Sequence, residues 1–214
     1  MIENTFNKYY TTPICGFIPK DFIKFKDKEL FGEESRKNIV LKKISIWYGT
    51  PMKVDKNIKG KGIIGIECIY KNRKDNSITK EKYCGDLSNN DFEFKEIELK
   101  KEVDFFSDFY LSFNGIITYI KLTSFFGEIF EIGKIDDDNQ LAIPFKDKEQ
   151  CKIIKFFKGF YNNSGLMALG VDYKLLNNCI PSNVTTILKL IKIIKTNDNA
   201  KKKLNDPSFL EKLS

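Results

Sequence analysis

The chain has 214 residues, with 36 lysines and arginines against 29 acids, no histidine, and a formal charge of +7. Hydrophobic residues make up 42% of it, including 19 Phe and 9 Tyr, which is enough for a sizeable core and too much for a disordered chain. The missing histidines exclude Ser-His-Asp and Cys-His nucleophile arrangements, His-ligated metals and the commonest general base in one step. Arg36 and Arg73 are the only arginines, so the planar fork that reads base edges and phosphates is almost absent. A lysine-rich surface of this kind is read as solvated, and nucleic acid is not an expected partner. Five scattered cysteines without a CxxC pair form neither a disulfide framework nor a zinc pattern, and fit reduced thiols in a cytoplasmic protein. No metal or cofactor is expected, because phosphate-binding and nucleophile-elbow motifs are missing as well. No run approaches the roughly 18 apolar residues of a membrane span, and MIENTFNKYY lacks the apolar stretch of a secretory signal.

Residues 1–37 read as an irregular, aromatic-rich extension (FNKYY, ICGFIPKDFIKF) expected to add an edge strand and cover one end of the domain. From 38 to 175 the chain is a series of short β-rich runs broken by Asn, Asp, Gly and Lys clusters. NIVLKKISIWYG (38–49) and GKGIIGIECIYKN (60–72) alternate at period two. They are followed by SITKEKYCG, FEFKEIEL, DFYLSFNG, IITYIKLTSF, EIFEIGK, QLAIPF, CKIIKFFKGFY and LMALGVDYKL. About ten strands at this spacing predict an all-β antiparallel sandwich, barrel or prism. Phe113-Asn114-Gly115 predicts a type I′ hairpin turn. The acids Asp136, Asp137 and Asp138 read as a solvated turn. Residues 176–214 carry seven lysines and three acids, +4 of the total charge. There Ile187, Leu190, Ile191 and Ile194 mark the apolar stripe of a basic amphipathic helix behind Ser182. That stripe has no aromatic anchor, so packing or a protein partner is expected rather than a membrane surface.

Three blocks resemble the jacalin-like lectin domain family. IVLKKISIWYG followed by GIIGIECIY is similar to the family's early strand pair. EVDFFSDFYLSFNGIITYIKLTSFFGEIFEIGK resembles its central run, with Glu102, Gly115, Ile117, Ile120, Leu122, Ser124 and Gly133 in matching places. IIKFFKGFYNNSGLMALGV is similar to its closing hairpin, matched by Gly159, Phe160, Ser164, Gly165, Leu169, Gly170 and Val171. The resemblance covers about 135 residues and implies a β-prism of three Greek-key antiparallel sheets that binds carbohydrate without catalysis.

The family's pattern also implies a carboxylate shortly before the A-I-G-V run, which accepts hydrogen bonds from two sugar hydroxyls. In this chain the segment between Gly165 and Gly170 is two residues shorter, and Met167 stands at the aspartate's place. The family's N-terminal Gly-Gly loop has only Cys15-Gly16 in a similar position, followed by Phe17. The expected function is therefore a non-catalytic scaffold or protein-interaction subunit of an intracellular assembly, with the carbohydrate site degraded and the stripe at 187–194 as its partner surface. The alternative is a lectin that contacts a glycan through Asn162, Asn163, Ser164, Gly165, Leu166 and Met167. These residues also satisfy the ordinary demands of a hairpin loop.

Overall fold

The computed structural model describes residues 9–18, 20–51, 60–88, 91–99, 104–135, 140–141 and 151–176. Thirteen strands lie among them. Sheet I has the order β6-β5-β4-β7, from β4 (Ile39–Gly49), β5 (Gly62–Asn72), β6 (Ile78–Cys84) and β7 (Phe92–Glu98). Sheet II has the order β10-β9-β8-β11, from β8 (Phe106–Asn114), β9 (Ile116–Ser124), β10 (Ile129–Gly133) and β11 (Gln140–Leu141). In both, three meandering strands are followed by a fourth that returns beside the first, the Greek-key order. Sheet III is built differently. Its centre is β12 (Cys151–Asn162) and β13 (Gly165–Leu176), flanked by β3 (Ile23–Lys26) on one side and by β1 (Tyr10–Thr11) and β2 (Cys15–Gly16) on the other. Three antiparallel sheets with these orders are a β-prism, as the sequence blocks imply.

β1 and β2 lie along the same strand, β13, with registers Tyr10↔Tyr173 and Leu169↔Cys15 (Cys15 on β2). Pro13 separates them because it has no N–H to give a ladder. Thr12 repairs the gap: its N–H donates to the Val171 carbonyl at 3.0 Å, and Val171 N–H donates to Thr12 Oγ1 at 2.9 Å. The strands of the 1–37 segment are thus edge strands of sheet III. A 3-10 turn (Asp27–Leu30) and a one-turn helix, α1 (Glu33–Arg36), lead from β3 into β4.

Two local readings change. β5 is buried from Gly62 to Cys68 rather than alternating: a register shift at Trp47/Tyr48 leaves Ile64 out of the pairing, and Ile116 of β9 and Cys84 of β6 press on Gly62 and Gly65. The turn at Asn114-Gly115 is not type I′, which needs positive φ at both residues. Gly115 has φ +69° while Asn114 does not have a positive φ, and a bulge at Ser112/Phe113 absorbs the register. The Asp136–Asp138 turn and the helical stripe at Ile187, Leu190, Ile191 and Ile194 lie outside the described residues.

One core runs through the prism, including Ile44, Ile46, Ile66, Phe106, Leu111, Ile120, Phe156, Phe157 and Val171. Among the described carboxylates Asp27 is the most deeply buried. Asp27 is fully buried and accepts hydrogen bonds from the hydroxyls of Tyr70 on β5 and Tyr83 on β6. Phe25 stacks on Tyr83 at 3.8 Å between centroids, and Phe31 meets Tyr70 edge-on at 5.6 Å. Burial pushes the Asp27 pKa up to about 6, although the two tyrosine hydroxyls and the Phe157 N–H oppose the rise.

The folded chain therefore holds this proton more tightly than the unfolded one. The stabilisation is complete below the ordinary aspartate range and disappears as pH rises through 6. Asp27→Asn removes this dependence while keeping an acceptor for a tyrosine hydroxyl. We expect the stability difference between the native chain and Asp27→Asn to shift by about 2 kcal/mol in favour of the native chain between pH 7 and pH 4. Urea unfolding followed by the fluorescence of Trp47, the only tryptophan, measures it.

Candidate functional site

Tight turns need residues that can hold φ > 0 or let backbones touch, and several converge at one end of the prism. The β12–β13 turn is Asn162-Asn163-Ser164-Gly165. Ser164 N–H donates to Asn162 Oδ1 at 2.9 Å, the local closure asparagine favours in turns. Gly165 takes φ +142°, and a Cβ there would lie 2.7 Å from the Ile63 carbonyl oxygen and 3.0 Å from Ile116 Cδ1. Only glycine lets the turn settle this closely on sheets I and II.

The β6–β7 loop packs against the same turn from sheet I. Asp86 N–H donates to the Asn163 carbonyl at 2.9 Å, and Gly85 N–H donates to the Ile64 carbonyl at 2.9 Å. A Cβ on Gly85 would stand 2.6 Å from the Asn163 oxygen and 2.7 Å from Gly165 N. Asp86 is exposed, and its Oδ1 receives Ser88 N–H at 2.9 Å, which orients the carboxylate. From sheet III, Gly16 (φ +133°) presses against the backbone of Met167 and Ala168, and Phe17 N–H donates to the Met167 carbonyl at 3.1 Å. Phe17 follows with 43% of its surface exposed. Two segments from distant parts of the sequence therefore meet the closing hairpin: the β6–β7 loop at its turn, and Gly16–Phe17 at Met167 and Ala168 of β13.

The six residues proposed from the sequence divide sharply. Asn163 is exposed and Asn162 half-buried, while Ser164 and Gly165 are buried in the turn. Leu166 and Met167 are interior residues, and Met167, 1% exposed, forms a small cluster with Ile116. Met167 thus plugs the end of the prism with an apolar side chain. Asp172, the next acid along, lies within β13 and sits 3.8 Å from Lys158 Nζ, away from the turn. Among the described residues the carboxylate next to Asn163 is that of Asp86, which the sequence alone does not single out; Asp91, on the same loop, lies 3.8 Å from Lys61. The signal for Asp86 was Gly-Asp-Leu-Ser after a strand, an Asx-turn pattern, but nothing local says that it adjoins residue 163.

A pocket of about 210 Å³ lies at the other end of sheet I, lined by Leu41, Lys42, Lys71, Arg73, Leu99 and Asp104 among others. Lys42 there already donates to the Leu99 carbonyl and lies 3.8 Å from Glu98. Among the described residues no group of His, Cys, Asp and Glu side chains is placed to hold a metal ion, and no helix is long and apolar enough to cross a membrane.

No protein-family model matches the sequence, and no curated protein matches it. Solved structures do match the fold. An artocarpin–mannotriose complex superposes with a TM-score of 0.54 at 18% identity, covering 78% of this chain and 99% of artocarpin's. Single-chain recombinant jacalin gives 0.54 at 10% identity, over 81% of this chain and 99% of its own. The Calsepa lectin in complex with a biantennary N-glycan gives 0.51 at 13% identity, over 78% and 97%.

The docking of the turn onto the β6–β7 loop can be tested directly. Gly85→Ala drives a methyl group into backbone at residues 163–165, and is expected to destabilise the chain by about 2–3 kcal/mol in urea unfolding. The fold of this chain is that of the jacalin-like lectins, a β-prism whose closing hairpin is met by the β6–β7 loop and by Gly16–Phe17.

Proposed function

We propose that the chain is a non-catalytic carbohydrate-binding protein whose site is the loop end built from Phe17, Asp86, Ser88 and Asn163. The observation that carries this reading is the hydrogen bond from Asp86 N–H to the Asn163 carbonyl, which sets an exposed carboxylate beside an exposed carboxamide. A neutral sugar offers vicinal hydroxyls and apolar C–H faces. A carboxylate has two oxygens and about four lone-pair positions, so Asp86 accepts sugar hydroxyls in charge-assisted bonds while keeping Ser88 N–H. The Asn163 amide supplies a donor and an acceptor beside it. The Phe17 ring supplies an apolar wall.

The solved structures with this fold that carry mannotriose or an N-glycan support the choice of ligand class. In this scheme Asp86 takes over the task of the carboxylate that Met167 displaced, from a neighbouring loop. The scaffold role expected from the tail depends on Ile187, Leu190, Ile191 and Ile194, and no described contact favours it.

On an immobilised glycan array the chain is expected to retain at least one neutral glycan. Asp86→Asn and Asn163→Ala should each weaken that binding about tenfold, roughly 1.4 kcal/mol, with urea unfolding unchanged. An array without neutral hits, or hits indifferent to both substitutions, removes this reading.

A further inference from the structure

The edge strand of a sheet presents unpaired N–H and C=O groups, and a protein either guards such an edge or uses it. Two edges of this prism are guarded. Lys24 and Lys26 share one face of β3, Lys80 and Lys82 share one face of β6, and all four are exposed. A second copy laid antiparallel along the middle of either strand sets lysine against lysine, and opposed like charges destabilise the pair.

β7, the other edge of sheet I, is built differently. Phe94 is 49% exposed and stands directly opposite Trp47 of β4, with the ring centroids 5.2 Å apart. Glu93 and Lys95 lie on the other face, both exposed, and no ion pair among the described residues involves Glu93. Lys95 gives one of its three N–H groups to the Glu131 carbonyl at 2.6 Å, which leaves two. The hydrogen-bond phase of the strand is set by Leu99, whose N–H donates to the Lys42 carbonyl at 2.9 Å. Counting back from it, Ile97, Lys95 and Glu93 turn their backbone groups toward β4. Phe92, Phe94 and Glu96 turn theirs to the free side.

A second β7 can continue this sheet about a two-fold axis only where even-numbered residues meet even-numbered ones, and charge then selects the register. Centred on Phe92 the pairing opposes Asp91 and Glu93, and centred on Ile97 it opposes Glu96 and Glu98. Centred on Glu93, Lys95 or Glu96 it sets that residue against its own copy. Centred on Phe94, it sets Phe94 against Phe94 and Glu93 against Lys95 on both sides of the axis. Phe92 then faces Glu96, whose carboxylate Lys43 already holds at 2.7 Å.

We propose that the chain forms a two-fold dimer by pairing β7 with β7 of a second copy about Phe94. Two four-stranded sheets become one continuous antiparallel sheet. Phe94 exchanges both backbone hydrogen bonds with its counterpart, and Trp47 and Phe94 of each copy form one aromatic row across the joint. A strand pair this short buries less than a standard interface of about 1,600 Å², so the dimer is weak and reversible. β7 starts at the loop end of the prism, so antiparallel pairing aims the two loop ends in opposite directions. On the glycan reading above, on which this consequence alone rests, the dimer bridges two glycans instead of gripping one surface.

Sedimentation of the full chain from about 5 µM to about 500 µM is the test, and a reversible monomer–dimer equilibrium is expected in that range. Glu93→Lys and Lys95→Glu each oppose like charges and should weaken dimerisation at least about tenfold. The double substitution Glu93→Lys/Lys95→Glu only reverses the pair and should restore it. Urea unfolding of each variant keeps loss of folding apart from loss of association. A chain that stays monomeric throughout overturns the proposal. So does a dimer indifferent to both single substitutions, which assigns association to another surface, or a double variant as weak as the singles. Dimerisation is measured without glycan, so this result and the array can fail independently.

Discussion

Tyr70 and Tyr83 both hydrogen-bond to the buried carboxylate of Asp27, and much of the prism's geometry depends on that junction. Asp27 belongs to the turn between β3 and β4, the tyrosines to sheet I, and Phe157, whose N–H also approaches, to sheet III. A buried charge is costly unless it is met by donors, so this site fixes where the N-terminal segment crosses between two sheets. Phe25 and Phe31 are held on either side of it by their ring contacts. With β3 anchored there, Lys24 and Lys26 are turned outward, and the β2–β3 connection is held where Gly16 and Phe17 reach the closing turn.

That closing turn is a second point where sheets meet, at the loop end. There the contacts are backbone to backbone, and glycine makes them possible. Gly16, Gly85 and Gly165 come from three strands or loops and press on one short hairpin. The end is filled by Met167 and Ile116, and the exposed side chains of Asp86, Ser88 and Asn163 stand at its rim.

Much of the fold was legible in the chain because its signals are local. Period-two runs and turn clusters locate β4 to β10, β12 and β13, and the order of three motif blocks points to the prism. Sheet III's flanks were harder to read. Pro13 cuts one strand into two pairs of residues, too short for any alternation to show, and their partner lies some 160 positions away. The continuous burial of β5 was invisible for a related reason: it depends on a register shift against β4 and on Ile116 of sheet II packing on Gly62. The site was half legible. Asn162 to Gly165 announce a turn, and Met167 is an apolar residue packed at its base. That Asp86 stands beside Asn163 follows only from the packing of sheet I against sheet III. A sequence lists a motif's neighbours along the chain, whereas this site is made from neighbours across sheets.

The makeup of sheet III bears on how the chain reaches its structure. Sheets I and II are each assembled from one continuous stretch and need only hairpins and a single return. Sheet III joins residues 10–26 to residues 151–176, and Thr12 bonds Val171 across 159 positions. Closing so long a loop loses entropy before any contact rewards it, and such pairings form slowly. On a ribosome the first strands emerge early and wait for β12 and β13, with Phe25 and the inner faces of two finished sheets uncovered meanwhile. Exposed lysines on β3, Lys24 and Lys26, suit that interval, because charged side chains discourage a bare strand from pairing with the wrong edge until its partner arrives.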